Sequence, residues 1–254
     1  MLVAPGARPE GADLDNHAKA TLEELDYCLR AVAEGDEDLS LALNYAIEAD
    51  RARLAALYAF QIELRRIPAL VSEPPLGEIR LQWWREAIDE IAAGAPGRAH
   101  PVVSLLAASG AVGGEMRDVA EGLIDARARL LYEPRFASLD DLREFLRGAE
   151  TPLARLALGA VATCPATVAA SLAEACALAR FAPQLAPALA SEAATAATHL
   201  RAQAASGTIR FSPADAGRLA PLSLTRGYVA RADGRRWPVM KRLAMFWAVL
   251  TGRF

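Results

Sequence analysis

Residues 56–91 read ALYAFQIELRRIPALVSEPPLGEIRLQWWREAIDEI, and the punctuation of this stretch sets the fold. A long helix is expected from Asp38 to Arg66. Pro68 is expected to stop it, because the residue before a proline is pushed out of the α region. Ser72-Glu73-Pro74-Pro75 then reads as a linker and a helix start, since proline is tolerated in a first turn. Ser72 and Glu73 have a capping role as the plain alternative to any functional one. The next helix is expected from Leu76 to Ala93, with Gly94 as its stop.

The same grammar extends outward in both directions. Residues 1–12 read as a disordered tail, and a helix over 13–34 ends at Gly35, a C-cap signal. Further helices are expected at 101–110, 114–132, 138–148, 151–163, 166–181, 186–205, 213–232 and 238–250. Ser138 with Asp141 three residues on forms a capping pattern. No internal repeat or interdomain linker stands out, so residues 13–254 read as one helical domain of about ten helices.

Composition agrees with that class. Hydrophobic residues make up 53% of the chain and aromatic ones only 6%. The surplus is mostly alanine, a strong helix former, while clusters of strand-forming residues are scarce. The net charge of −3 offers no basic footprint for nucleic acid. Cys28, Cys164 and Cys176 are odd in number and scattered, which speaks against a disulfide framework and for a reducing compartment. His17, His100 and His199 lie in no metal-binding word. The N-terminus lacks a basic flank before an apolar core, so it does not read as a signal peptide. The uncharged stretch between Arg155 and Glu174 approaches a membrane span in length. It is built of small residues and broken by Pro165, and two core helices are the better reading.

The words LYAF at 57–60 and LQWWREAI at 81–88, with IDARARLLYEPRFASLDDLREFLRGAETPLARLALGAV at 124–161, resemble the squalene/phytoene synthase family. The resemblance covers about residues 40–250. It implies an all-α isoprenoid-synthase-type bundle, the fold of enzymes that join two prenyl diphosphates head to head. Such enzymes clamp the departing diphosphate with Mg2+, a hard cation that wants oxygen ligands. Carboxylates four residues apart supply them from one helix face.

At the positions the resemblance assigns to those carboxylates, this chain has other residues. Aligned on LYAF, the first aspartate pair falls on Arg65 and Arg66 and a later one on Ala69. No aspartate occurs from 51 to 88. The second motif falls on CALARFAPQLAPALA at 176–190, where there is no Asp, Glu or Asn. Arg129-Leu130 replaces a family Asp-Leu word. The expectation is therefore no metal site, no catalytic residue and no cofactor, although Mg2+ belongs to the family. Within the family, Glu63, Ser72-Glu73, Gly77, Arg80, Gln82 and Trp84 are similar to a branch related to a mitochondrial complex I assembly factor.

The ligand-binding candidates are Tyr58, Gln61, Arg65, Arg66, Arg80 and Trp84, taken as cavity-lining. Arg65 and Arg66 suit an anionic head group through guanidinium forks, or else pair with Glu63, Glu73 or Glu78 at a helix end. Arg80 and Trp84 share a helix face, and Trp84 suits either an apolar ligand or the core. Residues 235–254 mix Arg235, Arg236, Lys241 and Arg242 with Trp237, Phe246 and Trp247. They suit a membrane-surface helix, a helix docked on the bundle, or a partner groove.

The expected function is a non-catalytic assembly factor or a protein that binds a lipid or prenyl ligand. It would be cytoplasmic, peripheral to the inner face of the membrane, with respiratory-complex assembly intermediates as partners. The alternative is an active prenyltransferase with atypical metal ligands, which needs at least two carboxylates facing the cavity.

Overall fold

Helix α1 (Glu10–Gly35) ends where a helix breaker was expected, for a different physical reason. Gly35 does not adopt a left-handed backbone. A Cβ there would fall 2.4 Å from Ile62 Cγ2, so the glycine permits close approach of the next long helix. This computed structural model describes residues 10–95, 97–112, 114–154, 165–204, 215–231 and 237–252. Residues 1–9 of the expected tail lie outside that range, and so does the expected helix 151–163 beyond residue 154.

Asp36 follows as the N-cap of α2 (Glu37–Leu43), its Oδ1 accepting from the amides of Asp38 and Leu39, each at 3.1 Å. The single helix expected from Asp38 to Arg66 is in fact two, α2 and α3 (Glu48–Leu70), joined by a turn at 44–47. The turn is set by tertiary packing. A Cβ on Gly217 would lie 2.5 Å from Ala46 Cα, so only glycine lets that distant segment seat on the turn. Pro68 does not stop α3, which continues to Leu70. In the last turn a proline removes a single helical hydrogen bond, and buried Ile67 keeps the turn on the core.

Helix α4 (Pro74–Ala92) opens on Pro74 and stops at Gly94, whose φ of 80° is left-handed. Then come α5 (Pro101–Ala108), α6 (Gly114–Leu130) and α7 (Leu139–Ala149), the last capped by Ser138 Oγ on the Asp141 amide at 3.2 Å. Helix α8 (Ala166–Phe181) runs through a 3-10 turn into α9 (Pro187–Ala204). The helix expected over 213–232 is broken into α10 (Ala216–Leu219), a 3-10 turn (Ala220–Leu224) and α11 (Thr225–Val229). Pro221 interrupts the ladder, and Gly227 gives way to the Trp237 ring, which a Cβ would meet at 1.9 Å. Helix α12 (Pro238–Thr251) ends on left-handed Gly252.

The described residues are helical with no strand, as composition implied. Among the described residues two apolar cores carry the bundle, and a minor cluster packs Ala42 of α2 against Ala220, Leu224, Trp237 and Met245. The larger joins α1 and α3 to α6 around Phe60, Leu105, Leu123 and Ile124. The smaller joins α7, α8 and α9 through Leu142, Leu146, Leu178 and a set of alanines that includes Ala179, Ala193 and Ala197. Such small side chains let helix axes approach closely. Among the described residues no helix is long and apolar enough to cross a membrane.

Candidate functional site

A cavity of about 810 Å3 lies where both cores meet α2, the residues just after α7, and the C-terminal helices. Tyr58 of the larger core and Ala177 and Phe181 of the smaller one both line it. Its apolar wall includes Leu153, Leu222 and Trp237. Its polar wall is a chain of alternating charges built around three buried or nearly buried carboxylates.

Asp36 is the first. While its Oδ1 caps α2, its Oδ2 accepts from Arg65 Nη1 of α3 at 3.0 Å and from Arg180 Nη2 of α8 at 2.5 Å. Glu150, at the C-cap of α7, is the second. Its Oε2 accepts from Gln61 Nε2 at 2.8 Å and Arg65 Nη2 at 3.0 Å, and its Oε1 from Arg127 Nη2. Arg65 thus bridges two carboxylates with its two terminal nitrogens, the fork geometry that a guanidinium provides and an ammonium lacks. Asp38 is the third, held by the Tyr228 hydroxyl, by Arg180 Nε at 3.3 Å and by Lys241 Nζ of α12 at 2.8 Å. Lys241 also lies over the Tyr228 ring at 5.1 Å. Arg218 pairs with Asp50 and Asp215 at the cavity wall, and Arg231 stacks over Trp237 at 5.0 Å.

Burial and charge act against each other on these groups. Burial alone would raise the Asp36 carboxyl, but Arg180 and Arg65 outweigh it and hold it well below the usual carboxylate range. Glu150 is lowered in the same way against its own burial, by Arg65 and Arg127. Burial pushes the Cys176 thiol up to about 11, so this cavity-lining cysteine stays protonated at neutral pH. Burial, then Asp38, pushes the Tyr228 hydroxyl up to about 12, so it donates to that carboxylate. Buried Arg65 Nε has no hydrogen-bond partner among the described residues.

Of the six residues expected to line a cavity, Tyr58, Gln61 and Arg65 do so together. Arg66, Arg80 and Trp84 do not. Arg66 turns outward to Glu34 at 3.7 Å and to Glu63 at 3.8 Å, the second being one of the helix-end partners of its plain alternative. Arg80 is exposed on the outer face of α4. Trp84 is 5% exposed in the larger core, edge-on to Phe60, Trp83 and His100. It shares the α4 face pointing to α3, and a large apolar ring there is drawn into the core.

Sequence reading missed Asp36, Asp38, Glu150 and Arg180, and took Lys241 as part of a C-terminal membrane-surface, docking or partner helix and not as a cavity residue. The one local signal was Gly35-Asp36, a helix end followed by a capping residue.

These observations have a family context. The squalene/phytoene synthase family model matches residues 32–187. The chain belongs to that family. Its overall fold is similar to that of squalene synthase HpnC from Alicyclobacillus acidocaldarius. The TM-score is 0.57 over 92% of this chain and 91% of that one, at 17% sequence identity. A curated relative from Bos taurus, named NADH dehydrogenase (ubiquinone) complex I, assembly factor 6, is 26% identical over 132 residues. That match takes in 52% of this chain and 39% of the relative's length.

Proposed function

We propose that this chain is a non-catalytic member of its family, with an assembly role, whose cavity holds an amphiphile with an anionic head. One observation carries the reading. The helix segments where the family resemblance places metal-binding aspartates, on α3 and α8, here present Arg65 and Arg180. Both converge on the same oxygen of Asp36. The charge at the centre of the site is inverted.

Mg2+ fits this donor set poorly. A divalent ion wants several free carboxylate oxygens. Asp36 and Glu150 each accept hydrogen bonds from two basic side chains, and Asp38 is ion-paired to Arg180 and Lys241. Among the described residues no group of three His, Cys, Asp or Glu is placed to hold a metal. A cation entering here would have to displace guanidinium groups and strand them in a buried setting. An anion would instead compete with Asp36, Asp38 and Glu150 for Arg65, Arg180 and Lys241, while Tyr58, Leu153, Phe181 and Trp237 suit an apolar tail.

The assembly role rests on the likeness to the bovine assembly factor. Its test is affinity capture from the native membrane fraction, read for respiratory-complex subunits. Their recovery at the level of an unrelated bait overturns that part. The catalytic part is tested by incubating purified protein with farnesyl or geranylgeranyl diphosphate and Mg2+. No pyrophosphate release is expected.

The second reading, an active prenyltransferase with atypical ligands, is favoured by the four carboxylates that do line the cavity, Asp36, Glu37, Asp38 and Glu150. It requires that substrate binding pull Arg65 or Arg180 off Asp36. Mg2+-dependent pyrophosphate release that disappears in Asp36→Asn would establish it in place of the first.

A further inference from the structure

Helix α12 has two faces with opposite fates. Met245 and Ala248 are buried, and Lys241 turns the same way, toward Asp38. On the other side Val239, Met240, Leu243, Phe246, Trp247 and Leu250 are all more than half exposed. At 3.6 residues per turn these six fall within an arc of about 120°. Exposed apolar residues scattered singly mean little, but six on one stripe of one helix make a patch.

We propose that this stripe docks the protein on an anionic lipid bilayer, with α12 lying in the interface plane. Charge selects that occupant over others. From Gly234 to Phe254 the sequence holds Arg235, Arg236, Arg242 and Arg253, besides the inward-turned Lys241, and no acid, in a chain whose net charge is −3. Arg242 is exposed beside the apolar arc, with only a long, solvent-exposed pairing to Glu37 at 3.8 Å. A basic, tryptophan-bearing, acid-free helix with one apolar face is the composition that binds anionic membrane surfaces. A second copy is disfavoured by the same charges, because a symmetric contact through α12 would bring two acid-free basic segments together. Trp237, the N-cap of α12, and Pro238 and Lys241 in its first turn line the cavity. Docking through this helix therefore brings that part of the cavity wall close to the lipid.

Vesicle flotation of the full chain tests this independently of the cavity's occupant. Wild-type protein is expected to float with vesicles of equal parts phosphatidylglycerol and phosphatidylcholine at low salt. At about 0.5 M salt, or on phosphatidylcholine alone, the bound fraction falls at least about tenfold through screening and loss of lipid charge. Phe246→Glu with Trp247→Glu, both outward-facing, is expected to float at least about tenfold less while melting like wild type. Should that pair perturb folding, Leu250→Glu alone is expected to weaken flotation in the same direction. No flotation of the wild type, or equal flotation on neutral vesicles, overturns the proposal. So does a dimer in light scattering that the double variant dissociates while vesicle binding is absent.

Discussion

Asp36 holds two structures at once, and its replacement separates them. One oxygen caps α2; the other meets Arg65 and Arg180. Removing one partner of a buried ion pair leaves the other charge uncompensated, which costs far more than a surface pair is worth. Asp36→Ala is expected to destabilise the protein by about 3–5 kcal/mol, with loss of the cap included. Asp36→Asn keeps an acceptor for the α2 amides and is expected to cost less than the alanine variant. Urea unfolding ranks the two. The same residue governs acid sensitivity. Asp36 and Glu150 have carboxyls lowered in the folded state, so the unfolded chain takes up their protons first. The stability they contribute is complete above the unfolded carboxylate range, at about pH 5, and is lost as pH falls through the folded values. Unfolding free energy measured at stepped pH should therefore drop below about pH 5, and drop less steeply in Asp36→Asn. At this scale sequence reading found Tyr58, Gln61 and Arg65 because they share α3 with the motif that was read. It missed Asp36, Glu150 and Arg180 because their partners lie 29, 85 and 144 residues away. No periodicity reports a pairing across such distances.

Among the elements, those whose ends are written in local chemistry were legible. Pro74 and Gly94 bound α4, and Ser138 opens α7, as expected from their residue types. The turn at 44–47 was not legible, because what fixes it is Gly217 arriving from the far end of the chain. Pro68 misled for a related reason: its local penalty was read correctly, but the packing of Ile67 against the core is not local. Glycines divide along the same line. Gly122, inside α6, has nothing within 4 Å of an added Cβ, whereas Gly217 would drive one into the Ala46 backbone. Gly122→Ala is expected to stabilise by about 0.5–1 kcal/mol, by improving helix propensity and restricting the unfolded chain. Gly217→Ala is expected to destabilise, since a backbone cannot step aside as a side-chain tip can. Melting temperatures shifting in opposite directions check the pair, and a neutral Gly217→Ala would show that the 44–47 turn yields.

For the molecule as a whole, the ion network ties together helices drawn from different apolar clusters. Asp36 and Asp38 belong to the start of α2, Arg65 to α3, Arg127 to α6, Glu150 to the end of α7, Arg180 to α8 and Lys241 to α12. Four carboxylates, Glu37 among them through Lys241, are met there by four basic groups. Where the resemblance places aspartates the chain has arginines, and each carboxylate of the network has a cationic partner, so Mg2+ would have to displace one and leave a charge uncompensated. This inversion predicts how the whole protein responds to ligands, because anything bound to the folded state alone raises its stability by mass action. Adding Mg2+ at millimolar concentration, or removing traces with a chelator, is expected to leave the melting temperature unchanged. A single-chain amphiphile with a phosphate head is expected to raise it. Replacing Arg65 by glutamine should abolish that rise, because the guanidinium fork joining Asp36 to Glu150 is lost. A melting temperature that climbs with Mg2+ and falls with chelator would mean that the carboxylates exchange their arginines for metal, and the non-catalytic reading would fall with it.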